Sequence, residues 1–238
     1  VVDAPRQIVK AVASYYLGDI RTIEIAVATL LAGGHLLLGP VGGGKTTLAK
    51  ALAKAIGGAF ARVQMTNETL PSDILGYGVY AQGEVRIVKG PIFNNVVLID
   101  EINRGPPRTL SALIEPMQER TVTIEGVTLR LPTPHMVIAT MNITEIAAGA
   151  TAPLPLAILD RFTASLHIDY VDPRVEREVV KLSDYLEALD GKPTSAAPPS
   201  LDLKNVYVAD AVIDYIINLT EQIRRDERVA VPPPQEPP

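Results

Sequence analysis

Residues Gly39-Pro40-Val41-Gly42-Gly43-Gly44-Lys45-Thr46 set glycines, a lysine and a hydroxyl at the spacing G-x-x-x-x-G-K-[ST]. Glycines at these places let successive backbone N–H groups turn inward on one phosphate chain, where a Cβ would obstruct the approach. Lys45 can then reach the β- and γ-phosphates of a nucleotide, and the Thr46 hydroxyl is offered to Mg²⁺. Thr47 carries the turn into the helix that must follow. A second signal is Asp100-Glu101, two carboxylates that close the apolar run Val96-Val97-Leu98-Ile99. In an open parallel sheet, ligands bind outside the carboxyl ends of the strands. There Asp100 would hold Mg²⁺ through its water shell, and Glu101 would activate a water as general base. Asn142 follows the apolar run Met136–Thr140 and suits either a plain turn or, in a nucleotide site, an amide that holds that water against the γ-phosphate. Arg161, within Asp160-Arg161-Phe162, suits either a surface ion pair or a guanidinium that a neighbouring subunit lends to transition-state charge.

The elements that must position these groups are legible around them. Leu36 to Leu38 reads as a buried strand entering the glycine turn, and Thr47 to Ile56, rich in strong helix formers, as the helix leaving it before Gly57-Gly58. Phe60–Met65, Met136–Thr140 and Ala164–Ile168 supply further strands, so strands alternate with helices and predict an α/β fold with a mostly parallel, doubly covered sheet. Helical spacing at Ile8, Val9, Val12 and Tyr16, then at Ile23, Val27, Leu30 and Leu31, places two helices before the first strand. Gly76–Lys89 and Thr121–Leu131 alternate around Gln82-Gly83 and Glu125-Gly126 and read as β-hairpins. Pro107 opens a helix; Pro116 crowds the carbonyl of Ala112, so that helix should kink or end early. Asp172-Pro173 introduces a helix to about Ala188, Asp190–Ser200 is a loop, and Ala209–Arg225 is an amphipathic helix.

Composition limits the function classes. The 22 basic and 27 acidic residues leave a net charge of −5, which gives no general attraction to nucleic acid or anionic lipid. No apolar run approaches the roughly 18 residues of a membrane span, and no signal pattern opens the chain, so no membrane span and a cytoplasmic location are expected. With no cysteine, and with His35, His135 and His167 scattered singly, disulfides and transition-metal sites are not suggested. The Val-Val start and proline-rich end suggest part of a longer protein.

These residues resemble the MoxR-type AAA+ ATPases, in the helix-2-insert branch with magnesium-chelatase motor subunits and MCM helicases. The resemblance runs from about Gly34 to Asp172. It rests on Gly34-His35-Leu36-Leu37-Leu38 before the phosphate loop (Walker A), Leu70-Pro71-Ser72-Asp73-Ile74-Leu75-Gly76, Gly90-Pro91-Ile92-Phe93, Asp100-Glu101-Ile102-Asn103-Arg104 (Walker B), Met117-Gln118-Glu119-Arg120 and Pro153-Leu154-Pro155. It implies a three-layer nucleotide-binding core over residues 1–170, with N-terminal helices in 1–33. The core's five-stranded parallel sheet would be ordered 5-1-4-3-2, and a small α-helical lid would occupy 171–238. ATP or ADP with Mg²⁺ would bind at Gly39, Pro40, Val41, Gly42, Gly43, Gly44, Lys45, Thr46, Thr47 and Asp100. Asn142 matches sensor 1, Arg161 matches the arginine finger, and the hairpins match the inserts that face a central pore.

The resemblance further implies a homo-oligomeric ring, usually a hexamer, that hydrolyses ATP between subunits and remodels a protein client, possible clients including proteins with von Willebrand factor A domains. Departures are Leu156 and Ile158, where relatives commonly carry Glu and Gln, Pro116 in place of a helix former, and a sensor 2 arginine expected beyond Pro238. A nucleotide-binding scaffold that does not hydrolyse, or a DNA-processing motor, would share most of these features. The hairpins' basic Arg86, Lys89, Arg120 and Arg130 are balanced by Glu84, Glu119 and Glu125, which ranks nucleic acid below a protein partner.

Overall fold

The apolar runs that end in chemical groups pair with one another. A computed structural model describes residues 3–39, 44–81, 84–141, 153–168 and 207–225. Its strands are β1 (Leu36–Leu38), β2 (Phe60–Gln64), β3 (Gly76–Ala81), β4 (Glu84–Lys89), β5 (Val96–Asp100), β6 (Thr121–Ile124), β7 (Val127–Arg130), β8 (Met136–Thr140) and β9 (Ala164–Leu166). The main sheet runs β2-β5-β8-β1-β9, and its neighbours pair in parallel. Because the hairpin strands β3, β4, β6 and β7 lie outside it, its members counted among themselves stand in the order 5-1-4-3-2.

Strands β1, β5 and β8 are buried along their whole length. Successive side chains point to opposite faces, so each strand feeds two cores. Leu36, Leu38, Val96, Leu98, Met136 and Ile138 pack on one face under the helices α1 (Asp3–Ala13), α2 (Ile20–Leu31) and α3 (Lys45–Ala55). Leu37, Val97, Ile99, Val137 and Ala139 pack on the other with α5 (Pro107–Ala112) and α6 (Ile114–Glu119); a short α4 (Pro71–Leu75) precedes the first hairpin. The helix holding Pro116 breaks at Leu113, next to the carbonyl that the ring would crowd. Pro116 thereby falls in the first turn of α6, where a missing N–H removes no helical bond.

Both hairpins form as their alternation predicts, β3 on β4 and β6 on β7. Gly76 opens the first with φ 98°, and a Cβ there would lie 2.1 Å from the Val88 carbonyl oxygen, so only glycine fits. The chain divides into two compact units, Val1–Leu201 and Asp202–Pro238. In the second, the helix Asp210–Arg225 exposes Val212, Ile213, Ile216, Ile217 and Leu219 at helical spacing. The expected domain boundary at 170/171 and the helix after Pro173 lie outside the described residues.

At the amino ends of β1 and β8 sits a buried histidine pair. His35 donates from Nε2 to the Met117 carbonyl at 2.9 Å and accepts the Val137 N–H on Nδ1 at 2.9 Å. A carbonyl only accepts and an amide N–H only donates, so this ring is neutral. His135 donates from Nδ1 to the Asn94 carbonyl at 2.9 Å, and its ring lies edge-on to that of His35. Burial, the main cause in both, lowers His35 from 6.5 to about 3 and His135 from 6.5 to about 4. The unfolded chain therefore takes up protons below 6.5 that the folded chain refuses, and stability falls as pH drops from 6.5 toward 4. The thermal midpoint is expected to fall over that window, and His135→Phe to flatten the slope, in a calorimetric pH series.

Candidate active site

Three positive and two negative side chains gather at the carboxyl ends of β2, β5 and β8 and the amino end of α3. Of the phosphate loop that the sequence predicts, residues 40–43 lie outside the described residues, and its two ends are seen. At the second end Gly44 has φ 91°, and a Cβ there would stand 3.0 Å from the Tyr16 ring. The left-handed turn favours glycine, and the close aromatic wall leaves little room for a Cβ. Lys45, Thr46 and Thr47 follow as the first turn of α3, and the amino end of a helix, through its dipole, favours an anion. Burial lowers the Lys45 ammonium below its usual range, and the charges of Asp100 and Glu101 oppose that shift. The lysine is therefore within electrostatic reach of both carboxylates.

Each carboxylate is held from neighbouring strands. The buried Asp100 accepts from Arg62 Nε on Oδ2 at 2.6 Å and from the Thr140 hydroxyl on Oδ1 at 3.2 Å. Glu101 stands in the left-handed region with φ 54°, a costly conformation for a side chain with a Cβ. Its N–H donates to Thr140 Oγ1 at 2.9 Å, while its Oε2 accepts from Gln64 Nε2 at 2.9 Å and Arg104 Nε at 3.0 Å. The pair Gln64 and Asp100 is in register across β2 and β5, which brings both side chains to one face. The hydroxyl of Thr46 and the carboxylate of Asp100 are hard oxygen donors, the set that suits Mg²⁺ with most of its waters retained.

Arg161 is placed apart from this group. It precedes β9, whose amino end lies beside that of β1, as the Thr163 N–H bonded to the His35 carbonyl at 2.9 Å shows. The phosphate loop leaves the opposite, carboxyl end of β1. Within the chain the guanidinium donates to Gln118 Oε1 at 3.0 Å and to Asp160 Oδ2 at 2.8 Å, the ion pair that its sequence neighbours suggest. Arg161 Nε is buried, and among the described residues it has no hydrogen-bond partner. Asn142 lies outside the described residues.

Residues 35–164 match the ATPase family associated with various cellular activities (AAA). Similar curated proteins include chaperone MoxR1 of Mycobacterium tuberculosis, 35% identical over 90% of this chain and 58% of its own length, and protein MoxR of Paracoccus denitrificans, 37% identical over 64% and 46%. The chain belongs to the MoxR-type AAA+ ATPases. An uncharacterised Bacillus subtilis protein, YeaC, is 39% identical over 86% of this chain and 66% of its own length. A solved structure of a candidate ATPase from Cytophaga hutchinsonii superposes with a TM-score of 0.75 at 32% identity, covering 93% of this chain and 69% of that one. The chain thus spans only part of each curated MoxR relative, 58% of MoxR1 and 46% of the Paracoccus protein.

Sequence reasoning missed Arg62, Gln64, Arg104 and Thr140 in this MoxR-type site. A signal existed for the first two: Phe60-Ala61-Arg62-Val63-Gln64 alternates, so Arg62 and Gln64 share a face of that strand. Thr140 was read only as the end of an apolar strand, and Arg104 only as part of the Asp100–Arg104 signature, with no partner assigned to either. If the glycine turn grips a triphosphate, Lys45→Ala should weaken ATP binding by about tenfold or more, the loss of a charge-assisted hydrogen bond of ~1.5–3 kcal/mol. Isothermal titration with ATP checks this, and an unchanged dissociation constant would remove the lysine from the site.

Proposed function

We propose that this MoxR-type protein hydrolyses ATP at the interfaces of a homo-oligomeric, usually hexameric, ring and uses the cycle to remodel a protein client. The observation that carries the reading is the split between Lys45, Asp100 and Glu101 at one end of the sheet and Arg161 at the other. An arginine that cannot serve its own subunit's phosphates is suitably placed to serve a neighbour's in a head-to-tail ring. Its unpartnered Nε adds support, because a seat that leaves a buried donor unmet costs less to vacate.

In this reading Lys45 and the amino terminus of α3 bind and orient the β- and γ-phosphates. When bound, Mg²⁺ compensates phosphate charge. Thr46 and Asp100 would hold it, and Asp100 is preset for that by Arg62 and Thr140. Glu101 takes the proton of the attacking water, with Gln64 and Arg104 fixing its Oε2. Asn142 aligns that water. The client contact falls to the hairpins, where Tyr77, Val79, Tyr80, Val85 and Val88 of the first and Val127 of the second are exposed. Exposed apolar side chains along hairpin strands suit a protein chain better than a phosphate backbone. The name of the mycobacterial relative, chaperone MoxR1, points the same way. The helix Asp210–Arg225 would belong to the lid.

Arg161→Ala should lose on the order of 10³ to 10⁵ in turnover with ATP affinity little changed, measured by phosphate release beside equilibrium binding. Near-normal turnover in that variant would take Arg161 out of the mechanism. Glu101→Gln should likewise bind ATP while losing about 10² to 10⁴ in rate, and full activity would end the general-base assignment.

A further inference from the structure

We propose that Thr140 is the positioning residue that sets both acidic groups of the site at once, through one buried hydroxyl on the neighbouring strand. The inference rests on the ATPase reading above and concerns how its carboxylates are held. Strands β5 and β8 pair through Ile99 and Ala139, so the next residue of β8 lies beside the carboxylates. Thr140 is 5% exposed, and its Oγ1 reaches Asp100 Oδ1 at 3.2 Å and the Glu101 amide nitrogen at 2.9 Å.

The two contacts fix the hydroxyl's orientation. An amide N–H can only donate, so Oγ1 accepts there; an ionised carboxylate can only accept, so the hydroxyl proton goes to Asp100. One rotor therefore locks the rotamer of the first acid and the left-handed backbone of the second. The other partners are less rigid anchors, since the side chains of Arg62 and Arg104 are 54% and 42% exposed and their ion pairs are screened by water. The next residue extends the tie: the Met141 N–H donates to the Leu38 carbonyl at 3.2 Å, at the end of the strand that enters the phosphate loop. The end of β8 thus joins the acidic strand to the strand that feeds the glycine turn.

The test compares Thr140→Val, which keeps the shape and removes the hydroxyl, with Thr140→Ser, which keeps the hydroxyl and removes the methyl. Thr140→Val should lose about 10- to 100-fold in kcat with KM within about threefold, and Thr140→Ser should stay within about threefold of the parent in both. Without nucleotide, the Glu101 amide should exchange its hydrogen faster in Thr140→Val than in the parent and no faster in Thr140→Ser. Half-saturation of a fluorescent ATP analogue should also need more Mg²⁺ in the valine variant. Parent-like turnover and amide exchange in Thr140→Val would overturn the proposal, and so would a serine variant as impaired as the valine one, since the methyl's packing would then be what matters. Should Thr140→Val fail to fold, Thr140→Ala against Thr140→Ser makes the same comparison. A parent protein that turns over no ATP would end the ATPase reading, whereas amide exchange would still decide whether the hydroxyl holds Glu101.

Discussion

The in-register parallel pairing of β5, β8 and β1 is the constraint on which the rest of this molecule depends. Each strand is short, buried on both faces, and ends in a different chemical element: the acidic pair, Thr140 before Asn142, and the glycine turn. Because side chains alternate with a period of two, a one-residue slip of β8 would move its polar end from beside Asp100 to the opposite face. The same slip would push Val137 and Ala139 into the core meant for Met136 and Ile138. Hydrophobic packing on two faces therefore fixes a polar alignment at one edge.

Charge at that edge is arranged so that no carboxylate stands alone. Asp100 is largely buried, and an unpaired ion there would be costly; Arg62 and the Thr140 hydroxyl meet its two oxygens. Glu101 stays nearer solvent and takes Gln64 and Arg104 on one oxygen. Lys45, pulled down by burial and lifted by both acids, completes a cluster whose cations outnumber its anions, a fitting surround for a polyphosphate. The opposite end of the sheet is built differently. There, the neutral His35 bridges two backbone groups, His135 donates to the Asn94 carbonyl, and Arg120 ties the start of the second hairpin to the His135 carbonyl at 3.1 Å and to that of Gly33.

Local sequence rules decided much of this. Pro116 announced the break beside Ala112, Glu125-Gly126 the second hairpin's turn, and period-two alternation the two hairpins, because each depends on residues a few places apart. The short helices Pro71–Leu75 and Leu156–Leu159 went unread, being too short to show a helical period. The lone histidines also gave no hint of their pairing: His35 and His135 are 100 positions apart in numbering and meet only because β1 and β8 are neighbours.

The sequence by itself determined the family, the glycine turn, the acidic strand end and the alternation of strands and helices, since each is written in contiguous residues whose chemistry is local. Only the tertiary structure decided which side chains hold the two acids. Arg62 and Gln64 come from β2 and Thr140 from β8, on either side of the acidic strand, and what makes them its partners is sheet order and register, which follow from burial summed over the whole core. The separation of Arg161 from Lys45 was likewise invisible along the chain, because it depends on which end of a parallel sheet each residue occupies.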